Sequence, residues 1–106
     1  MARPLVNVPA RARPGEIIEI KALIAHPMET GFRTGPDGAL VPRDIIHRFL
    51  CTWNGQEVFS ADLFPAISAN PYLAFTVVAT QSGTITFRWI DDQGGAQVHS
   101  VEITVA

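Results

Sequence analysis

Cys51, the chain's single cysteine, and its three histidines, His26, His47 and His99, are the side chains best suited to reactive or metal-binding chemistry. A cysteine attacks as its thiolate, which calls for an accessible site with positive charge nearby. Cys51 instead alternates with Phe49 and Trp53 along an apolar stretch. That setting raises a thiol pKa and blocks access, so a buried, inert cysteine is expected. The histidines could join Met28 in a soft copper site. They are, however, scattered over separate segments, without the close spacing of a ligand pair. A lone cysteine also excludes an intrachain disulfide and a cysteine-based zinc centre. His47 is expected opposite Asp62 across a hairpin, an acid–base pair in form. With no nucleophile beside it, that pair is expected only to support strand pairing, at about 0.2–1 kcal/mol. Phosphate loops, nucleophile elbows and paired catalytic carboxylates are missing from the sequence.

The elements that would position these groups are short strands punctuated by turns. A first strand is expected near Leu5–Val8, bounded by Pro9, Pro14 and Gly15. Ile18, Ile20, Ala22 and Ile24 then alternate along a second strand from Glu16 to Ala25. From His26 to Pro42 the density of glycine and proline argues against regular structure, and a loop of that length is usually functional or mobile. Asn54-Gly55 is the preferred pair for a two-residue type I′ turn and predicts a hairpin of residues 43–53 and 56–63. Pro65–Pro71 is irregular. Three more strands follow, with inward sets Leu73/Phe75/Val77, Ile85/Phe87/Trp89 and Val101/Ile103/Val105. The expected fold is all-β, an immunoglobulin-like antiparallel sandwich of about seven strands in one domain spanning 1–106.

The hairpin register sets an expectation about surfaces. With Asn54-Gly55 as the turn, Cys51 should oppose Val58 and Leu50 should oppose Phe59. Phe49, Cys51, Trp53 and Val58 then face the core, while Ile46, Leu50, Phe59 and Leu63 face away. Both sets cannot be core in a two-layer sandwich, because adjacent residues point to opposite faces. The second set is therefore expected to be exposed and to contact a partner.

Composition narrows the classes further. The 106 residues suit one domain, and 47% apolar content can fill one core. A net charge of −2 without runs of like charge argues against nucleic-acid binding. The interrupted apolar stretches argue against insertion in a membrane. Met1-Ala2-Arg3-Pro4-Leu5 lacks the apolar h-region of a signal peptide, which taken alone favours the cytoplasm.

From about Arg13 onward the chain resembles the SoxZ family. The likeness rests on Pro14-Gly15-Glu16, His26-Pro27-Met28-Glu29-Thr30-Gly31, Leu40-Val41-Pro42-Arg43, Phe59-Ser60-Ala61-Asp62 and Ala66-Ile67-Ser68-Ala69-Asn70-Pro71-Tyr72. The resemblance implies an immunoglobulin-like, non-catalytic subunit that needs no cofactor and pairs with SoxY, which carries sulfur intermediates on a cysteine in a Gly-Gly-Cys-Gly-Gly tail. It also implies transient docking to a thiosulfate-attaching cytochrome, a sulfate-releasing hydrolase and a sulfane dehydrogenase. His26, Pro27, Met28, Ser68, Asn70 and Pro71 are the motif-loop candidates. Such proteins work in the periplasm, exported with a signal-bearing partner, which reverses the cytoplasmic expectation. Self-association of the isolated chain stays open. The rival readings are a free-standing periplasmic copper binder using His26 and Met28, and a redox protein using Cys51.

Overall fold

Alternating burial runs through β3, β6 and β7, as their sequence periods require. In the computed structural model, residues 4–106 are described; the part of the N-terminal reading that falls on Met1–Arg3 lies outside them. The strands are β1 (Pro4–Asn7), β2 (Arg11–Ala12), β3 (Ile17–Ile24), β4 (Ile46–Trp53), β5 (Gln56–Asp62), β6 (Tyr72–Val78), β7 (Gly83–Asp91) and β8 (Ala96–Val105). They form a three-stranded sheet, β1-β3-β6, and a five-stranded sheet, β2-β8-β7-β4-β5. Neighbours run antiparallel except β2, which lies parallel to β8. This is an immunoglobulin-like sandwich with one strand more than expected. The extra strand is β2, whose two residues are too few to show a period and lie in a segment flanked by Pro9 and Pro14.

Both sheets bury their inner faces in one cluster. Ile18, Ile20, Ala22 and Ile24 of β3 and Phe75 and Val77 of β6 meet Phe49, Cys51, Trp53, Ile85, Phe87, Trp89 and Ile103. Phe49 lies at its centre, within 6.2 Å, centroid to centroid, of the rings of Phe59, Phe75, Phe87 and Trp89.

Two bulges overturn the expected division of the hairpin. Asn54 and Gly55 have φ of 51° and 83°, as a type I′ turn needs, and Trp53 opposes Gln56 as expected. One step further Thr52 pairs with Glu57 but Cys51 pairs with Phe59, leaving Val58 as the extra residue. The slip turns Phe59 to the core side, where it stacks on Phe75 at 4.2 Å, and leaves Val58 exposed. It also sets Arg48, not His47, opposite Asp62, with Nη1 of Arg48 2.7 Å from the carboxylate. A second slip, against β7, falls between Ile46 and Arg48 and returns Ile46 to the core. Leu63, just past β5, is buried too, its amide donating to the His47 carbonyl at 2.8 Å. Of Ile46, Leu50, Phe59 and Leu63, only Leu50 stands on the outer face, between Ser60 and Arg88. The four do not form a common surface, because each bulge exchanges the faces beyond it.

The connection 26–42 is also more ordered than its composition suggests. Glu29 and Asp44 exchange both backbone hydrogen bonds at 2.9 Å, and Thr34 bridges Leu40. The Gly35 amide donates to the Ala39 carbonyl across the Pro36-Asp37-Gly38 turn. Between Glu29 and Asp44 the segment is a narrow, hairpin-like arm closed by backbone bonds across it.

Gly83 reads in the sequence as the last residue of the Gln81-Ser82-Gly83 turn, and in the structure the hairpin also depends on it. The Asn54 carboxamide accepts from the Thr84 amide at 2.9 Å and donates to the Ser82 carbonyl at 3.1 Å, straddling Gly83. A Cβ at Gly83 would collide with that carboxamide. Gly83→Ala is therefore expected to displace Asn54 and destabilise the fold by about 1–3 kcal/mol, read by urea denaturation. A midpoint equal to wild type would mean Asn54 does not tie the β4–β5 turn to β7.

Candidate partner-binding surface

Cys51 is fully enclosed on β4, and burial pushes its thiol up to about 12. At pH 8 the folded chain should hold almost no thiolate. Alkylation by iodoacetamide should run at least 100-fold slower in the native state than in denaturant, since the enclosed thiol is both held protonated and out of reach. Equal rates would mean that the thiol is accessible.

The two motif loops are joined to each other. The His26 amide donates to the Asn70 side-chain oxygen at 2.9 Å, and the Asn70 amide donates back to the His26 carbonyl at 2.8 Å. Asn70 reaches this geometry with φ of 56°, a left-handed conformation that asparagine tolerates better than most residues. Buried Pro71 extends the clasp by accepting from the Ile24 amide at 3.3 Å. Pro27 and Ser68 are exposed on either side.

His26 and Met28 are occupied in holding this end of the sandwich. His26 Nδ1 accepts from the Met28 amide at 3.0 Å, and the buried Met28 sulfur accepts from the Ile46 amide at 3.3 Å. His26 Nδ1 and one lone pair of the Met28 sulfur are thus engaged within the protein. His47 and His99 lie elsewhere, on β4 and β8. Among the described residues no three histidine, cysteine, aspartate or glutamate side chains are grouped to hold a metal.

Sequence reasoning missed Asp44 and Asp92, because their partners come from distant segments. His26 Nε2 lies 3.7 Å from Asp44 Oδ1. Asp92 takes both arms of the Arg43 guanidinium, at 2.7 and 2.8 Å, and the Ile45 amide at 3.1 Å. Burial tends to raise the Asp92 pKa, but these bonds outweigh it and hold the carboxyl below its ordinary value. The bidentate pair pins the base of the arm to the β7–β8 turn.

Four of the exposed large apolar residues, Leu5, Ile17, Tyr72 and Val78, lie on the outer face of the small sheet. Phe32, Leu40, Phe64 and Ile67 are exposed in the connections, and Val58 and Val98 on the large sheet. Leu5, Leu23 and Tyr72 form one cross-strand row, with Leu5 and Tyr72 63% and 57% exposed. Ile17 and Val78 form a second pair at the far end, 70% and 52% exposed. The outer face of the large sheet instead carries Arg48, Thr52, Arg88, Thr86 and Ser60 around Leu50. No described helix is long and apolar enough to cross a membrane.

These features define an immunoglobulin-like β-sandwich domain with a sealed thiol and an apolar patch on one outer face. Residues 6–102 match the family of the sulphur oxidation protein SoxZ. The chain belongs to the SoxZ family and thereby to the Sox sulfur-oxidation system. No curated protein matches it. Among solved structures it is similar to a superoxide reductase (neelaredoxin) from Ignicoccus hospitalis, with TM-score 0.74 and 16% identity over 97% of this chain and 80% of that one. It is similar also to the sulfur carrier protein SoxY from Chlorobium limicola f thiosulfatophilum, with TM-score 0.68 and 12% identity over 97% and 78%. At these identities the likeness is one of fold.

Proposed function

We propose that this chain is the non-catalytic subunit of a heterodimeric sulfur carrier, paired with a SoxY-like subunit that holds the sulfur intermediates on its own cysteine. Membership of the SoxZ family over residues 6–102 is the observation that carries this reading. The thiol that could have carried sulfur here is enclosed and held in its protonated form, which supports a reading in which the covalent chemistry belongs to the partner. The chain's part is to scaffold that subunit and to help it dock to the cytochrome, hydrolase and dehydrogenase of thiosulfate oxidation. The compartment proposed is the periplasm, reached together with the signal-bearing partner.

The outer face of the small sheet is the surface best suited to the pairing. A specific interface needs a central apolar cluster from which water is excluded, and the Leu5–Leu23–Tyr72 row offers one. In gel filtration the chain and a SoxY-like subunit should co-elute. Tyr72→Asp should weaken the pairing at least tenfold, about 1.4 kcal/mol, while leaving the fold intact. Wild-type proteins that elute separately at micromolar concentration would overturn the pairing. A Tyr72→Asp chain that pairs normally would move the interface elsewhere.

A further inference from the structure

A sheet edge exposes main-chain donors and acceptors that can pair with another strand, and folded proteins commonly blunt such edges with charge, proline, a bulge or brevity. Three edges of this sandwich are blunted. β1 has four residues and opens on Pro4. β5 is broken by the bulge at Val58 and carries Glu57 and Asp62. β8 is covered at one end by β2 and bears the exposed Glu102. The fourth edge, β6, has none of these devices. Tyr72-Leu73-Ala74-Phe75-Thr76-Val77-Val78 holds no charge and no proline, and its register against β3 is unbroken. The Ile24 amide donates to the Pro71 carbonyl, and the Ala79 amide to the Glu16 carbonyl. By alternation the odd-numbered residues of β6 bond to β3, and the N–H and C=O groups of Tyr72, Ala74, Thr76 and Val78 point away from the sheet. Among the described residues no backbone bond reaches them.

The edge is complementary to itself. A second β6 laid antiparallel across a two-fold axis at Phe75 sets Tyr72 opposite Val78, and Ala74 opposite Thr76, of the other copy. Every outward-facing residue then gains a hydrogen-bonded partner. Sliding the pairing by two residues leaves one of them unpaired on each strand. The same register joins the exposed side chains. Within one copy Leu5 opposes Leu23, Leu23 opposes Tyr72 and Ile17 opposes Val78, so the row Leu5–Leu23–Tyr72 continues into Val78 and Ile17 of the other copy. Two separate apolar groups on the outer face thus become two unbroken rows related by the axis. With no charged side chain on β6, no like charges meet across it. We propose that β6 pairs with β6 of a second copy of this chain, antiparallel and centred on Phe75. The isolated chain is then a two-fold dimer with one continuous sheet, β1-β3-β6-β6-β3-β1. The dimer occupies the edge and leaves the outer face open, so it does not rest on the pairing with a SoxY-like subunit.

Light scattering on the gel-filtered chain alone, at tens of micromolar, should give twice the 11.5 kDa of one copy. Thr76→Lys and, separately, Ala74→Lys place a charge on the edge from side chains that stand in solvent. Each should weaken association at least tenfold while circular dichroism shows the fold retained. Gln56→Lys, on the blunted edge of β5, should remain dimeric. Disulfide capture reads the register, with Cys51 enclosed and silent. A mixture of Ala74→Cys and Thr76→Cys chains should cross-link under mild oxidation. Neither variant should do so alone, because the axis at Phe75 holds like positions two residues apart along the strands, too far for a disulfide. A wild-type chain that stays monomeric, or folded lysine variants as dimeric as wild type, would overturn the dimer. Cross-linking of either cysteine variant by itself would overturn the register. A monomeric chain that loses its SoxY-like subunit on Thr76→Lys would give the edge to that subunit in place of a second copy.

Discussion

Phe49→Ala should cost about 3–5 kcal/mol, the largest loss expected from any single truncation in this chain. Phe49 is fully buried on β4 and touches both sheets: Phe87 and Trp89 lie beside it on β7, Phe75 faces it from β6, and Phe59 leans in from β5. Removing the ring forfeits its transfer from water and leaves a cavity whose walls are themselves rigid rings, which collapse poorly. No disulfide stands in reserve, since Cys51 is alone. A thermal midpoint lower by roughly 10–20 °C should accompany the loss in a domain of this size. A urea-derived loss below about 1.5 kcal/mol would mean that the four neighbouring rings do not depend on Phe49.

Phe59→Asp should destabilise the isolated chain by about 2–4 kcal/mol, whereas Leu50→Asp should cost under about 1 kcal/mol. The sequence alone expects equal, small effects on folding, because the uninterrupted register sets the two residues side by side on an outer face. The bulge at Val58 separates them. Phe59 lies nearly parallel to Phe75, 4.2 Å away with a 6° interplanar angle, so a carboxylate there faces an aromatic wall. Leu50 opposes Arg88 on the solvent side, where a carboxylate gains a cationic neighbour. Denaturation of the two variants under identical conditions decides the matter. Equal losses would show that the slip in register does not govern which side chain is core.

The resemblance to SoxZ was legible in the order of five short motifs, and their physical roles were partly legible too. Asn54-Gly55 announced its turn, because few residue pairs accept positive φ at both positions. The motif loops announced themselves as loops by their prolines and glycines. What they do to one another was not readable: 44 residues separate His26 from Asn70, and only folding brings the amide of one to the carboxamide of the other.

Face assignment divides along the same line. In β3, β6 and β7 a period of two, read directly from the residues, specified which side chains are buried, because an unbroken strand has only two faces and one of them must meet the core. In β4 and β5 the same rule failed for Ile46, Phe59 and Leu63. One extra residue in a strand exchanges the faces beyond it, and no residue type marks Val58 or His47 as the place where that occurs. An all-β sandwich, a buried thiol and the loops that bear the motifs followed from residue types and their spacing. Where the bulges fall, and which apolar residues remain in water, emerged only on folding. Strand pairing optimises the whole core at once, and a local bulge that seats Phe59 on Phe75 is stabilised by contacts from the opposite sheet.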